Sequence, residues 1–93
     1  LPRWKIRKKE TLIHLKSASK EIKMITLGDK LSNIRAINRD YKILGDELWD
    51  RFNQKDKKEH YWYYQSIADC LLELEEYAAY QEYCDLVKNT FGK

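Results

Sequence analysis

The sequence predicts an all-α fold of about four to five helices. Three observations carry that reading. Three Gly and one Pro in 93 residues leave few chain breakers. Apolar residues recur at intervals of three and four, the spacing of one helix face. No stretch alternates apolar and polar residues in the manner of a strand. A hydrophobic content of 43% beside a charged content of 35% is ordinary for a soluble globular protein. The length sets a single domain or less, here one partial domain over residues 1–93.

The first helix is expected over residues 3–16, with Trp4, Leu12 and Leu15 on an apolar face among Lys5, Arg7, Lys8, Lys9 and Lys16. Ser17-Ala18-Ser19 interrupts it, and Ser19 suits an N-cap because its hydroxyl can accept a free amide hydrogen of the next turn. The second helix is expected from Lys20 to Tyr41. Its main stripe is Met24, Leu27, Leu31, Ile34 and Tyr41, and a second set, Ile22, Ile25 and Ala36, projects near the opposite side. A helix apolar on two sides is expected to be buried on two sides. Gly45 suits a C-terminal cap, with Asp46 as N-cap of a short helix through Phe52. A third long helix is expected over residues 57–75 and a last one over residues 78–90, closed by Gly92.

Charge is uneven along the chain. Residues 1–30 hold nine Lys/Arg against three Asp/Glu, a net of +6, and residues 61–93 hold two against six, a net of −4. A basic front end suits phosphate groups on a nucleotide or polynucleotide, whereas any single lysine there is as readily a solvated face. No apolar run approaches the roughly 18 residues that a membrane span needs, so a cytoplasmic protein without membrane contact is expected. Cys70 and Cys84 lack Cys-x-x-Cys spacing and read as small, reduced helix residues. The chain opens on Leu1-Pro2-Arg3 rather than Met, and a segment of a longer protein is expected.

Asp29 is the position that stands out. On a helical wheel it shares a broad side of the second helix with Ile22, Ile25, Asn33, Ala36 and Asp40, opposite the Leu27/Leu31/Ile34 stripe. A carboxylate among isoleucines needs a compensating cation, either a metal ion or an Arg or Lys partner. From spacing alone a structural salt bridge is the expected answer. His14, between Leu12 and Leu15, reads as a partly buried packing residue, and His60, after Lys57-Lys58-Glu59, as exposed. The run Tyr61-Trp62-Tyr63-Tyr64 reads as core packing of a long helix plus one or two surface rings.

The stretch from Ile22 to Arg35, with Leu27-Gly28-Asp29-Lys30-Leu31-Ser32-Asn33 at its centre, resembles the fourth conserved block of the HD-domain superfamily. It is most similar to the guanosine tetraphosphate (alarmone) hydrolases and their small relatives. Their pattern is an apolar stretch followed by Ala-Asp-Lys/Arg-Leu-x-Asn-x-Arg, and here Gly28 replaces the alanine. Upstream, Trp4-x-x-Arg7-Lys8 resembles the family's Arg-Lys; downstream, Asp40-Tyr41, Gly45-Asp46, Leu48-Trp49-x-Arg51-Phe52-Asn53 and Trp62-Tyr63-Tyr64 resemble small bacterial HD phosphohydrolases.

The resemblance implies the helical C-terminal part of an HD fold. It makes Asp29 a ligand of a divalent metal, usually manganese, Asn33 a nucleotide contact, and Lys30 a basic neighbour. Arg7 and Lys8 become phosphate contacts. The implied chemistry is metal-assisted hydrolysis of a nucleotide pyrophosphate or other phosphoester. The family's two histidines, His-Asp pair and Glu-Asp pair belong upstream, and no His-Asp dipeptide occurs here. No catalytic residue is therefore expected in this segment, and it is expected to be inactive alone. The alternative is a non-catalytic helical module binding nucleic acid or a protein partner; nucleic acid is disfavoured because no helix-turn-helix or zinc-finger arrangement is present. Homo-oligomerisation through exposed apolar helix faces is a further expectation.

Overall fold

The computed structural model describes residues 1–92 of the chain. Four α-helices follow one another: α1 (Arg3–Lys16), α2 (Lys20–Leu44), α3 (Lys57–Cys70) and α4 (Ala78–Phe91). Two 3-10 segments, Gly45–Arg51 and Leu72–Leu74, bridge α2 to α3 and α3 to α4. No strand occurs among the described residues, and the fold is all-α.

Local chemistry sets the helix ends. The Ser19 hydroxyl accepts from the Ile22 amide at 3.2 Å, and the Asp56 carboxylate accepts from the Lys58 amide at 2.8 Å. Gly45 ends α2 at φ +63°, a conformation in which a Cβ would be strained, and its amide donates to the Tyr41 carbonyl. Asp46 caps no helix. Its carboxylate accepts instead from the Tyr41 hydroxyl at 3.0 Å and the Trp49 indole at 3.3 Å, tying the 3-10 segment to α2. The helix α2 runs three residues past Tyr41, to Leu44. The third helix stops at Cys70, and residues 72–74 tighten into a 3-10 turn that puts Leu74 into the core.

The core lies on one side of α2. Leu27, Leu31, Ile34 and Ile37 are buried, with α4 the main neighbour of α2, in one continuous cluster with Tyr64, Ile67, Leu71, Tyr83 and Val87. Polar groups within that packing are satisfied. The Tyr80 and Tyr83 hydroxyls donate to the Ala68 and Tyr64 carbonyls at 2.9 and 2.7 Å, and Asn38 donates to Asn89 and Thr90, both at 2.8 Å. Buried Lys23 pairs with Glu73 at 2.7 Å. On the surface, Arg35 grips Glu82 of α4 with two bonds of 2.7 Å, which holds the Glu82 carboxyl below its usual range.

Burial of α2 on two sides is not what the structure has. Ile22 and Ile25 are 53% and 74% exposed, and Met24, expected on the main stripe, is also exposed. No described element covers the face that Ile22 and Ile25 share. The stripe continues from Leu27 toward Lys23, whose ammonium reaches Glu73 while its aliphatic stem packs. Farther along it reaches Ile37 and Asn38 rather than Tyr41, which is half-buried. The aromatic run does divide as expected: Tyr63 and Tyr64 are buried, Trp62 is half-buried and Tyr61 is exposed, stacked on Phe91 at 5.3 Å.

Two substitutions on the same helix test this one-sided packing. Ile34→Ala removes a fully buried side chain and is expected to cost about 2–5 kcal/mol in urea denaturation. Ile25→Ala, on the open face, is expected to change stability by less than about 0.5 kcal/mol.

Candidate functional site

Helical spacing puts Trp4, Arg7 and Lys8 on neighbouring positions of α1, and Lys30 and Asn33 one turn apart on α2. The two sets converge on one pocket of about 340 Å3, closed by Phe52, Asn53 and Gln54 of the linker and by His60, Tyr63 and Tyr64 of α3. All four residues singled out from the sequence for substrate contact, Arg7, Lys8, Lys30 and Asn33, therefore meet in a single place.

Tyr63 forms the common wall. The Lys8 ammonium stands 4.7 Å from its ring centroid and the Lys30 ammonium 5.6 Å. Both distances suit attraction to the ring quadrupole. Lys8 has no carboxylate partner within 4 Å among the described residues. Burial pushes its pKa down, and the nearby charges of Lys30 and Arg7 push it further the same way. Like charges held this close favour an anion between them.

Asp29 lies outside this pocket. It sits on the rim of a larger, mostly apolar cleft of about 680 Å3 between α1 and α2, in which Lys30 and Tyr63 form the shared wall. Its carboxylate is well solvated, with 66% of the side chain exposed, and pairs with Lys30 at 3.5 Å. Ile22 and Ile25 line the same open cleft but are themselves 53% and 74% exposed, so they do not shield the Asp29 carboxylate from solvent. A solvated pair of this length contributes little to stability. Among the described residues no three His, Cys, Asp or Glu side chains come close enough to share a metal ion. The residues present do not hold a divalent ion by themselves, and Asp29 offers one ligand at most.

The two histidines exchange the environments expected of them. His14 is exposed and lines the apolar cleft, because the face of α1 beyond Leu15 has no helix against it. His60 is buried at 6% exposure, stacked on Trp49 at 5.1 Å and 22°, with Phe52 at 4.9 Å and Trp4 at 5.8 Å. Its Nε2 lies 2.7 Å from the Gln54 carbonyl oxygen, which can only accept, so Nε2 carries the proton. That bond anchors the linker segment that brings Asn53 and Gln54 to the pocket. The charged neighbours Lys57, Lys58 and Glu59 obscure the burial. The spacing His60, Tyr64, Ile67, along the buried face of α3 and on to Leu71 at its C-cap, carries the signal.

Cys70 and Cys84 carry free, half-buried thiols whose pKa values burial pushes up, so neither is an activated nucleophile. No helix among the described residues is long and apolar enough to cross a membrane.

Burial lowers the His60 pKa, against a smaller opposing effect of the Gln54 bond. The unfolded chain therefore takes up a proton at higher pH than the folded one does. Stability from this group is complete above about pH 6.5, the unfolded value, and falls as pH drops below it toward the folded value. Urea midpoints measured from pH 7.5 to 5 should decline, and His60→Gln should flatten that decline. The Asp40 and Glu82 carboxylates, whose pKa values Arg39 and Arg35 lower, act only at more acid pH.

Comparison of the chain with protein-family models, with curated proteins and with solved structures gives no match.

Proposed function

We propose that this chain supplies the phosphate grip of a metal-dependent HD-domain phosphohydrolase acting on a nucleotide pyrophosphate or phosphoester such as guanosine tetraphosphate. The observation that supports it is the convergence of Arg7, Lys8, Lys30 and Asn33 on one aromatic-walled pocket, with Asp29 outside it and paired with Lys30. In the resemblance to that superfamily, these are the positions assigned to phosphate, nucleotide and metal.

The chain's own residues divide the work by chemistry. The Arg7 guanidinium offers a planar fork that matches two phosphate oxygens, whereas Lys8 and Lys30 act as point charges. Asn33 presents both a donor and an acceptor to a sugar or base edge. Trp4 and Phe52 offer apolar faces on which a base can lie. The Asp29 carboxylate provides a hard oxygen on the same helix as Lys30, one turn from Asn33. A bound divalent ion would supply an activated water and charge neutralisation. Donors beyond Asp29 are needed to hold it, so the 93-residue chain binds substrate without turning it over.

Isothermal titration with pyrophosphate and guanosine tetraphosphate at low salt tests the reading. Both should bind, the nucleotide more tightly, and both should raise the unfolding temperature. Lys8→Ala should weaken binding about 10–100-fold, as expected for loss of one charge-assisted contact. Lys42→Ala, an exposed residue at the far end of α2, should leave binding unchanged. Absence of binding by either ligand would overturn the proposal. Equal, steeply salt-dependent binding of any single-stranded nucleic acid would favour a non-catalytic nucleic-acid module instead.

A further inference from the structure

The cationic pocket holds one titratable ring whose second nitrogen the packing leaves free. His60 lines that pocket with Arg7, Lys8, Lys30 and Asn33. Its Nε2–H donates to the Gln54 carbonyl at 2.7 Å, so in the neutral ring Nδ1 carries a lone pair. Nδ1 has no hydrogen-bond partner among the described residues. No side-chain nitrogen or oxygen among them is both sealed from solvent and unpartnered. Nδ1 therefore reaches an opening, although the residue as a whole is only 6% exposed. The opening that His60 lines is the cationic pocket.

Every element packed on the ring bears on its charge. The α1 helix contributes the Trp4 face and the charges of Arg7 and Lys8, and α2 contributes Lys30 across the pocket. The 3-10 segment Gly45–Arg51 contributes the uncharged Trp49, and the linker contributes Phe52 and the Gln54 carbonyl. Within α3, Lys57 is engaged by the Tyr41 hydroxyl and Glu59 by Lys5. Asp56, the N-cap of α3, favours the charged ring, whereas burial and Lys8 disfavour it. With the pocket empty, three cations stand near a neutral imidazole. A phosphate oxyanion among Arg7, Lys8 and Lys30 reverses that field. It also brings an acceptor to the pocket that Nδ1 faces, where a proton on Nδ1 completes a charge-assisted hydrogen bond. The bond to Gln54 survives protonation, because Nε2 donates in both states.

We infer that His60 is a proton-gated member of this grip: when an oxyanion occupies the pocket, the ring takes a proton from solvent on Nδ1 and donates to the anion. The inference rests on the phosphate-grip reading and adds a regulation of that same site. Anion affinity then rises as pH falls through the range in which His60 titrates. Anion binding in turn raises the proton affinity of His60 by the same factor.

Imidazole NMR of the 15N-labelled chain tests it on the unaltered protein. The His60 midpoint should lie below about 6.5 in the free chain and rise by about one pH unit under saturating pyrophosphate. Sulfate, which stays doubly charged throughout, supplies the affinity arm. It should bind up to about tenfold more tightly at pH 5.5 than at pH 7.5, and His60→Gln should bring that ratio close to one. A His60 midpoint unmoved by bound pyrophosphate would overturn the inference and leave the grip standing. So would a pH gain that His60→Gln retains in full. Pyrophosphate that binds at neither pH overturns the grip and this inference together.

Discussion

The apolar stripe of α2 is the constraint on which the rest of the structure depends. Leu27, Leu31, Ile34 and Ile37 must face the core that α4 helps to form, and that single rotation fixes where every other α2 side chain points. Lys30, about 50° from the stripe's centre at 100° per residue, is carried to the boundary between α1 and α3. Asn33 follows on the same side. Asp29 is carried to the open face. The candidate site is thus a by-product of core packing: the residues that bury themselves decide which polar residues meet.

The second determinant is electrostatic. Lys8, Arg7 and Lys30 share a space walled by the Tyr63 ring, and no carboxylate within 4 Å of Lys8 relieves their repulsion. Some cations have a carboxylate partner, among them Lys5 with Glu59, Lys23 with Glu73, Arg35 with Glu82 and, at the pocket itself, Lys30 with Asp29. Arg7 and Lys8, which have no carboxylate within 4 Å among the described residues, meet beside Lys30 in one pocket, and that pocket suits an anion. His60 contributes indirectly. Held neutral by burial among Trp4, Trp49 and Phe52, it anchors the linker that closes the pocket without adding a fourth charge.

Much of this was legible in the residues. Three- and four-residue periodicity located all four helices, and Ser19, Gly45 and Gly92 marked their ends, because capping is a local property of a few atoms. The positions of Arg7, Lys8, Lys30 and Asn33 followed from the conserved-block resemblance, and the helices then brought them together. What the pattern could not show was which apolar residues find a partner. Ile22 and Ile25 are as hydrophobic as Ile34, but only Ile34 has another helix across from it. His60 erred in the opposite direction: its charged neighbours in sequence are not its neighbours in space, where three aromatic rings surround it. Asp29 inherits the consequence. Its salt bridge with Lys30 exists as spacing suggested, but in solvent rather than in an apolar recess.

The claim that this cationic pocket grips phosphate is tested most directly by residue-resolved NMR. Pyrophosphate titrated into the 15N-labelled chain should shift the amide signals of Arg7, Lys8, Lys30, Asn33, Asn53 and Gln54 together, along one saturating curve. Non-saturating shifts scattered over exposed lysines such as Lys9, Lys42 and Lys58, with those six signals unmoved, would contradict it.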